Sequence, residues 1–328
     1  MMDKGRIRFI DVAKGIAISL VVLGHCAVTA LGDHSRLFYT IYAFHMPFCF
    51  FLSGILYSTK DWKQYLSGKV KALLLPYLFF SIVNVFSYQI LNVIDCSGLR
   101  PFVQLGGLWF LLSLFYIVVI YFVLDTYFLR ICGDKTKKIV LTFVACLLFV
   151  GGIGGGKGLP ISSLSTTMVC FFFFHVGTLL RAYKSTLIIK SNSRRLIVLV
   201  ISLVLVMLLI YTAPMNPEPV DVNYGRYGNK LMFVIQALLG IAGFLMLALS
   251  IKKSKALEYL GRNSLLILVI HIPLWHIFDF IINYKFGMVG YIQLICVFLC
   301  VFTLTLLLLQ PINRFFPELK GEFDFNKV

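Results

Sequence analysis

Three ionisable residues in one apolar run, Asp11, Lys14 and His25, have the types and spacing for acid–base chemistry within a membrane. They belong to Arg8-Phe-Ile-Asp-Val-Ala-Lys-Gly-Ile-Ala-Ile-Ser-Leu-Val-Val-Leu-Gly-His25. Ionisable groups in a membrane span are costly unless they face a polar or wet interior, which makes these residues functional candidates. At about 100° per residue, the steps from Lys14 to His25 return to nearly the same helix face, roughly 16 Å further along the axis. Asp11 lies one turn before Lys14 on that face. One stripe thus carries a carboxylate and an ammonium at its start and an imidazole near its far end. An imidazole can act as general base or as nucleophile near neutral pH.

The elements that must position these groups are membrane helices. The chain has 328 residues, of which 59% are hydrophobic and only 13% charged, with a mean hydropathy of +0.90. This is the composition of an all-α, polytopic membrane bundle. Ten spans are read at about 9–31, 39–57, 72–94, 108–129, 139–155, 161–182, 196–213, 231–250, 263–282 and 289–311. The fifth is short and ends in glycines. Lys and Arg alternate between rich and poor loops, which accounts for the net charge of +16 and places both termini in the cytoplasm. No basic soluble module supports nucleic-acid binding. The chain is read as one transmembrane domain over residues 1–328, with no appended soluble domain, no internal repeat and no cleavable signal. Its eight cysteines mostly sit in apolar runs and have no metal-ligand spacing, so no metal site is expected.

Further candidates lie along these spans. His45, in Tyr42-Ala-Phe-His-Met-Pro-Phe-Cys-Phe-Phe-Leu-Ser-Gly54, is expected at the depth of His25 on the neighbouring helix. Pro47, Ser53 and Gly54 interrupt backbone regularity, either to widen a wet cavity or simply to kink and pack. Lys69 and Lys71 are either inner-side anchors or an anion site for phosphates. Trp109 is either an interfacial anchor or a platform for a sugar ring. Asn263 and His271 open and occupy the ninth span, and His276 looks like packing or interface. Gly151-Gly-Ile-Gly-Gly-Gly-Lys157 is rejected as a phosphate loop, because Gly158 follows where Ser or Thr is needed.

Together these stretches resemble membrane-bound acyltransferase family 3, in its fucose 4-O-acetylase-like branch of bacterial O-acetyltransferases. Lys14 to His25 fits that family's basic residue, ten residues, then His. Asp11-Val-Ala-Lys-Gly-Ile-Ala is similar to its Asp-x-x-Arg-Gly-Ile-Ala, with Lys14 replacing the commoner Arg. His45-Met-Pro-Phe with Phe51-Leu-Ser-Gly54, then Leu108-Trp-Phe-Leu111, then Gly261-Arg-Asn-Ser-Leu with His271 are similar to later motifs. The resemblance implies a multi-pass protein of the bacterial inner (plasma) membrane. It would move an acyl group, usually acetyl, from cytoplasmic acetyl-CoA or another acyl-CoA to a hydroxyl of an extracytoplasmic or lipid-linked glycan. His25, His45 and Asp11 are then the catalytic candidates, and Lys14, Lys69 and Lys71 the donor-binding ones. Trp109, Ser53, Asn263 and His271 are candidates for substrate binding. The other class compatible with intramembrane Asp, Lys and His is a transporter or flippase with a proton relay. A homo-oligomer is left open.

Overall fold

The computed structural model describes residues 7–58, 61–91, 108–154 and 162–315. Lys4, Arg6, Lys60, Cys96, Arg100, Gly106, Gly107, Lys157, Lys320 and Lys327 lie outside the described residues.

Among the described residues, ten helices are long and apolar enough to cross a bilayer: Arg8–Leu31, Arg36–Ile55, Trp62–Ser87, Trp109–Phe128, Asp134–Gly154, Leu164–Tyr183, Asn192–Met215, Lys230–Ser250, Ser264–Lys285 and Gly290–Phe315. The protein is a multi-pass helical membrane protein. Among the described residues there is no strand, only an isolated bridge between Asp221 and Arg226.

The first span is helix α1 (Arg8–Leu31). The second is expected to be one helix but is two. Helix α2 (Arg36–Tyr42) stops, Phe44 takes φ −141°, and α3 (His45–Ile55) starts on the histidine. Pro47 suits the third position of a helix, where its missing N–H leaves no intrahelical bond unmade. The third span begins earlier than expected. Helix α4 (Trp62–Lys69) passes through a widened π-type turn, Val70–Leu74, into α5 (Leu75–Leu91). Pro76 explains the widening, because it cannot donate to the carbonyl of Ala72. The next three spans are α6 (Trp109–Val123), α7 (Asp134–Gly154) and α8 (Ser162–Leu180). The fifth span is a full-length helix because the charged segment from Asp134 to Lys138 is already helical. Helices α9 (Asn192–Thr212) and α10 (Lys230–Ser250) form the next pair. A short amphipathic helix, α11 (Lys255–Arg262), leads straight into α12 (Ser264–Asp279), and α13 (Gly290–Phe315) completes the bundle.

Two glycine seams set the packing. A Cβ on Gly15 would overlap the Leu257 carbonyl, and one on Gly261 the Asp11 carbonyl, so α1 and α11 meet backbone to backbone. A Cβ on Gly54 would overlap the Phe174 carbonyl, and one on Gly177 the Phe51 carbonyl, so α3 and α8 do the same. Small residues of this kind let membrane helices approach closely where no hydrophobic force drives them together.

Gly54→Val should therefore lower stability by about 1–3 kcal/mol, the usual range for overpacking, seen as a lower melting temperature in detergent. Gly68→Ala, in α4 with nothing within 4 Å of its Cβ direction, should leave the melting temperature unchanged or slightly raised. Equal melting curves for both variants would contradict the seam.

Candidate active site

Between α1, α3, α6 and α12 lies a cavity of about 200 Å³. Lys14, Ile18 and Val21 line it from α1, Met46, Cys49 and Ser53 from α3, Phe110 and Leu114 from α6, and Ser264 and Leu268 from α12. Lys14, Ile18 and Val21 follow the stripe that ends at His25, so a one-sided spacing in sequence becomes one wall of a cavity. Its surface is apolar except for Lys14, Cys49 and the two serines. Ser53 Oγ donates to the Cys49 carbonyl at 2.9 Å.

The end of the cavity away from Lys14 stops just short of three imidazoles. Val21 is one turn before His25, Met46 follows His45, and Leu268 is one turn before His271. The His25 ring lies 5.3 Å from His271 and 5.1 Å from Trp275, between centroids. Tyr42 bridges to His45, its ring 6.5 Å from His25 and 4.7 Å from His45. His45 and His271 are buried, at 3% and 0% exposure, whereas His25 is partly exposed. His45 Nδ1 lies 2.9 Å from the Ile41 carbonyl. In an unbroken helix that carbonyl would take the backbone N–H of residue 45, so the ring substitutes at the break between α2 and α3.

At the other end of α1, Asp11 is buried at 6% exposure and pairs with Arg262 Nε at 3.7 Å, while Arg262 also reaches Glu258 at 3.5 Å. A buried carboxylate needs such pairing. Asp11 is thus held at the α1–α11 seam rather than beside His25.

Lys14, Ser53, His25, His45 and His271 are brought to the cavity or its histidine end. The other candidates are not. Asn263 is buried, its amide donating to the Tyr259 carbonyl at 2.9 Å and accepting from Asn313 at 3.0 Å, a joint between α11, α12 and α13. Trp109 is 7% exposed and packs 6.1 Å from Phe50, so its ring is not an open platform. Lys69 lies over the Tyr65 ring at 5.3 Å, and Tyr65 meets Tyr57 at 6.3 Å, next to the cavity residue Leu56. Neither Lys69 nor Lys71 lines the cavity. Among the described residues no three His, Cys, Asp or Glu side chains form a metal-binding group.

Sequence reasoning missed His175. Its Nε2–H donates to Thr142 Oγ1 at 2.9 Å, and its Nδ1 lies 3.0 Å from the Tyr121 hydroxyl, which is also 2.7 Å from Thr178 Oγ1. Thr142 gives its own proton to the Lys138 carbonyl at 2.7 Å, which fixes that direction. Beside this network, Tyr57 donates to Asp125 at 3.0 Å and Lys137 lies 3.7 Å from the same carboxylate. His175 follows four consecutive phenylalanines, so only an unpaired imidazole in an apolar run signalled it.

The loop between α9 and α10 is tied down by Arg226, 3.4 Å from Asp33 and 3.5 Å from Asp221. Burial pushes the Asp221 carboxyl above the usual carboxylate range, and the Tyr224 N–H and Arg226 pull it back.

No curated protein and no solved structure matches the chain. A family model described as an acyltransferase domain does, over residues 7–314. That match takes in the Lys14 cavity, the three imidazoles and every span, and by it the chain belongs to the acyltransferase 3 family.

Proposed function

We propose that this protein transfers an acyl group, acetyl foremost, from cytoplasmic acyl-CoA to a hydroxyl of an extracytoplasmic or lipid-linked glycan. This is the activity of the fucose 4-O-acetylase-like branch, set in a bacterial plasma membrane with the Lys14 end of the bundle inside. One observation carries the reading: a single cavity leads from Lys14 to within one turn of three imidazoles. Lys14 takes a phosphate of the donor as a point charge. The uncharged pantetheine arm lies along Ile18, Val21 and Leu268, over a distance of roughly 16 Å from Lys14 to His25. Lys69 and Lys71 add positive potential near the entrance, and Ser53 offers a hydroxyl along the wall.

His25, the partly exposed imidazole, is the base. It takes the proton of the acceptor hydroxyl as that oxygen attacks the thioester carbonyl. A C–O bond forms, the C–S bond breaks, and the proton passes to the departing sulfur, giving ester and CoA thiol. His45, with Nδ1–H held by Ile41, assists from α3. Asp11 acts through Arg262, by setting the packing of α1, and Asn263 by joining three helices.

Purified protein in nanodiscs, supplied with acetyl-CoA and a crude surface-glycan extract, should release CoA. His25→Ala should lose about 10²–10⁴-fold in rate, the usual contribution of a positioned base. No release from any acyl-CoA would overturn the reading and leave ion-coupled ligand flux to be measured. Lys14→Ala should raise KM for acetyl-CoA about tenfold, equal to about 1.4 kcal/mol, with kcat little changed, and Lys14→Arg should lie much nearer wild type. Cys49 on the cavity wall gives a readout without turnover: its labelling by a small thiosulfonate, followed by mass spectrometry, should slow when CoA is added. Unchanged labelling would place the donor elsewhere.

A further inference from the structure

His271 carries an unexplained atom. Its Nδ1 lies 2.9 Å from the Ile267 carbonyl. A carbonyl only accepts, so Nδ1 bears the hydrogen and the neutral ring leaves a lone pair on Nε2. Nε2 is buried and has no hydrogen-bond partner, and an orphaned acceptor of this kind is costly to retain in a protein interior. The ring beside it is His25, with centroids 5.3 Å apart and planes inclined at 44°. A modest rotation of His25 at that separation brings two nitrogens to hydrogen-bond distance, about 3 Å.

His45 repeats the arrangement. Both histidines stand two residues before a proline, His45-Met-Pro47 and His271-Ile-Pro273. Both place Nδ1 2.9 Å from the carbonyl four residues earlier. Two elements packed on α1 thus carry imidazoles of one fixed tautomer at the histidine end of the cavity. They differ in that His271 Nε2 is sealed from solvent and unpartnered, which fits a single dedicated donor.

Resting on the reading of His25 as base, we propose that His271 is its positioning residue. His271 Nε2 accepts the N–H from one nitrogen of His25. The other nitrogen of His25 is then left as a bare lone pair facing the acceptor hydroxyl. When that nitrogen takes the hydroxyl proton, the His25 imidazolium keeps its bond to His271, and the proton then goes to the CoA sulfur. His271 itself neither gains nor loses a proton. Trp275, 5.1 Å from His25 and donating to Thr29 Oγ1 at 3.3 Å, packs beside the same ring one turn further along α12.

The test uses full-length protein in nanodiscs with acetyl-CoA and the glycan extract. His271→Leu should lower kcat about a hundredfold, within the range of general-base effects, and leave KM for acetyl-CoA within twofold. His271→Gln, which restores an acceptor oxygen, should recover at least a tenth of the wild-type rate. Full activity in His271→Leu, or a Gln variant no better than Leu, would overturn the proposal. Full activity in His25→Ala would instead remove the base on which it rests. A readout free of turnover is the nitrogen-15 spectrum of histidine-labelled wild type, with the His25 signal assigned by its loss in His25→Ala. A single His25 tautomer is expected in wild type with CoA bound. Two exchanging tautomers there would overturn the proposal even if the His271 variants fail to fold.

Discussion

The geometry of the site depends on the backbone contact between α1 and α11. Gly15 against Leu257 and Gly261 against Asp11 leave no room for a side chain, so the two helices are in fixed register where they touch. Because α11 runs into α12 with only Asn263 between them, that register is carried to the middle of the bundle. His25 is fourteen residues beyond Asp11, and Trp275 fourteen beyond Gly261. Equal counts at about 1.5 Å per residue give equal rise, and the two rings meet at 5.1 Å. His271, one turn before Trp275, meets the same imidazole. The Asp11–Arg262 pair closes the seam with a charge contact, so a buried carboxylate is answered by the helix whose position it registers.

Irregular backbone is tolerated at membrane depth only where protein or a cavity satisfies it, and the break in the second span is satisfied by a side chain. At the break the Ile41 carbonyl takes the Phe44 N–H at 3.3 Å and the His45 ring at 2.9 Å, in place of the His45 N–H. Pro273 sits inside α12 two residues after His271. At His45 the break and the ring contact coincide, whereas His271 reaches the Ile267 carbonyl from within a continuous helix.

The spans were legible because their signal is long: a score or so of apolar residues between basic loops. The Lys14–His25 stripe was legible because helical periodicity alone puts both on one face. Legibility failed where the outcome depends on a partner. Trp109 and Asn263 are residue types that suit sugar recognition, yet Phe50 covers one and Asn313 engages the other, and neither neighbour is near in sequence. The second span reads as one apolar run because Ala43 and Phe44 carry no turn signal, and its break shows only against α1 and α10. His175 was overlooked because its partners, Tyr121 and Thr142, come from two other spans.

The polarity of the cavity fits the proposed reaction in a way that a proton pathway does not require. Lys14 stands at one end, imidazoles lie beyond the other, and the wall between is mostly apolar. A wire for protons or ions needs polar groups along its whole length, since a charge moved through apolar surroundings loses its hydration. A thioester on an extended arm does not. In the proposed reaction the donor's charge would stay on its phosphates near Lys14, and only uncharged atoms would pass Ile18, Val21 and Leu268. Charge would then appear briefly, where hydroxyl, carbonyl and sulfur exchange a proton beside His25. In the proposed reaction, separating the charged end from the reacting end by an apolar wall would keep the ionic groups from competing with the imidazoles for that proton.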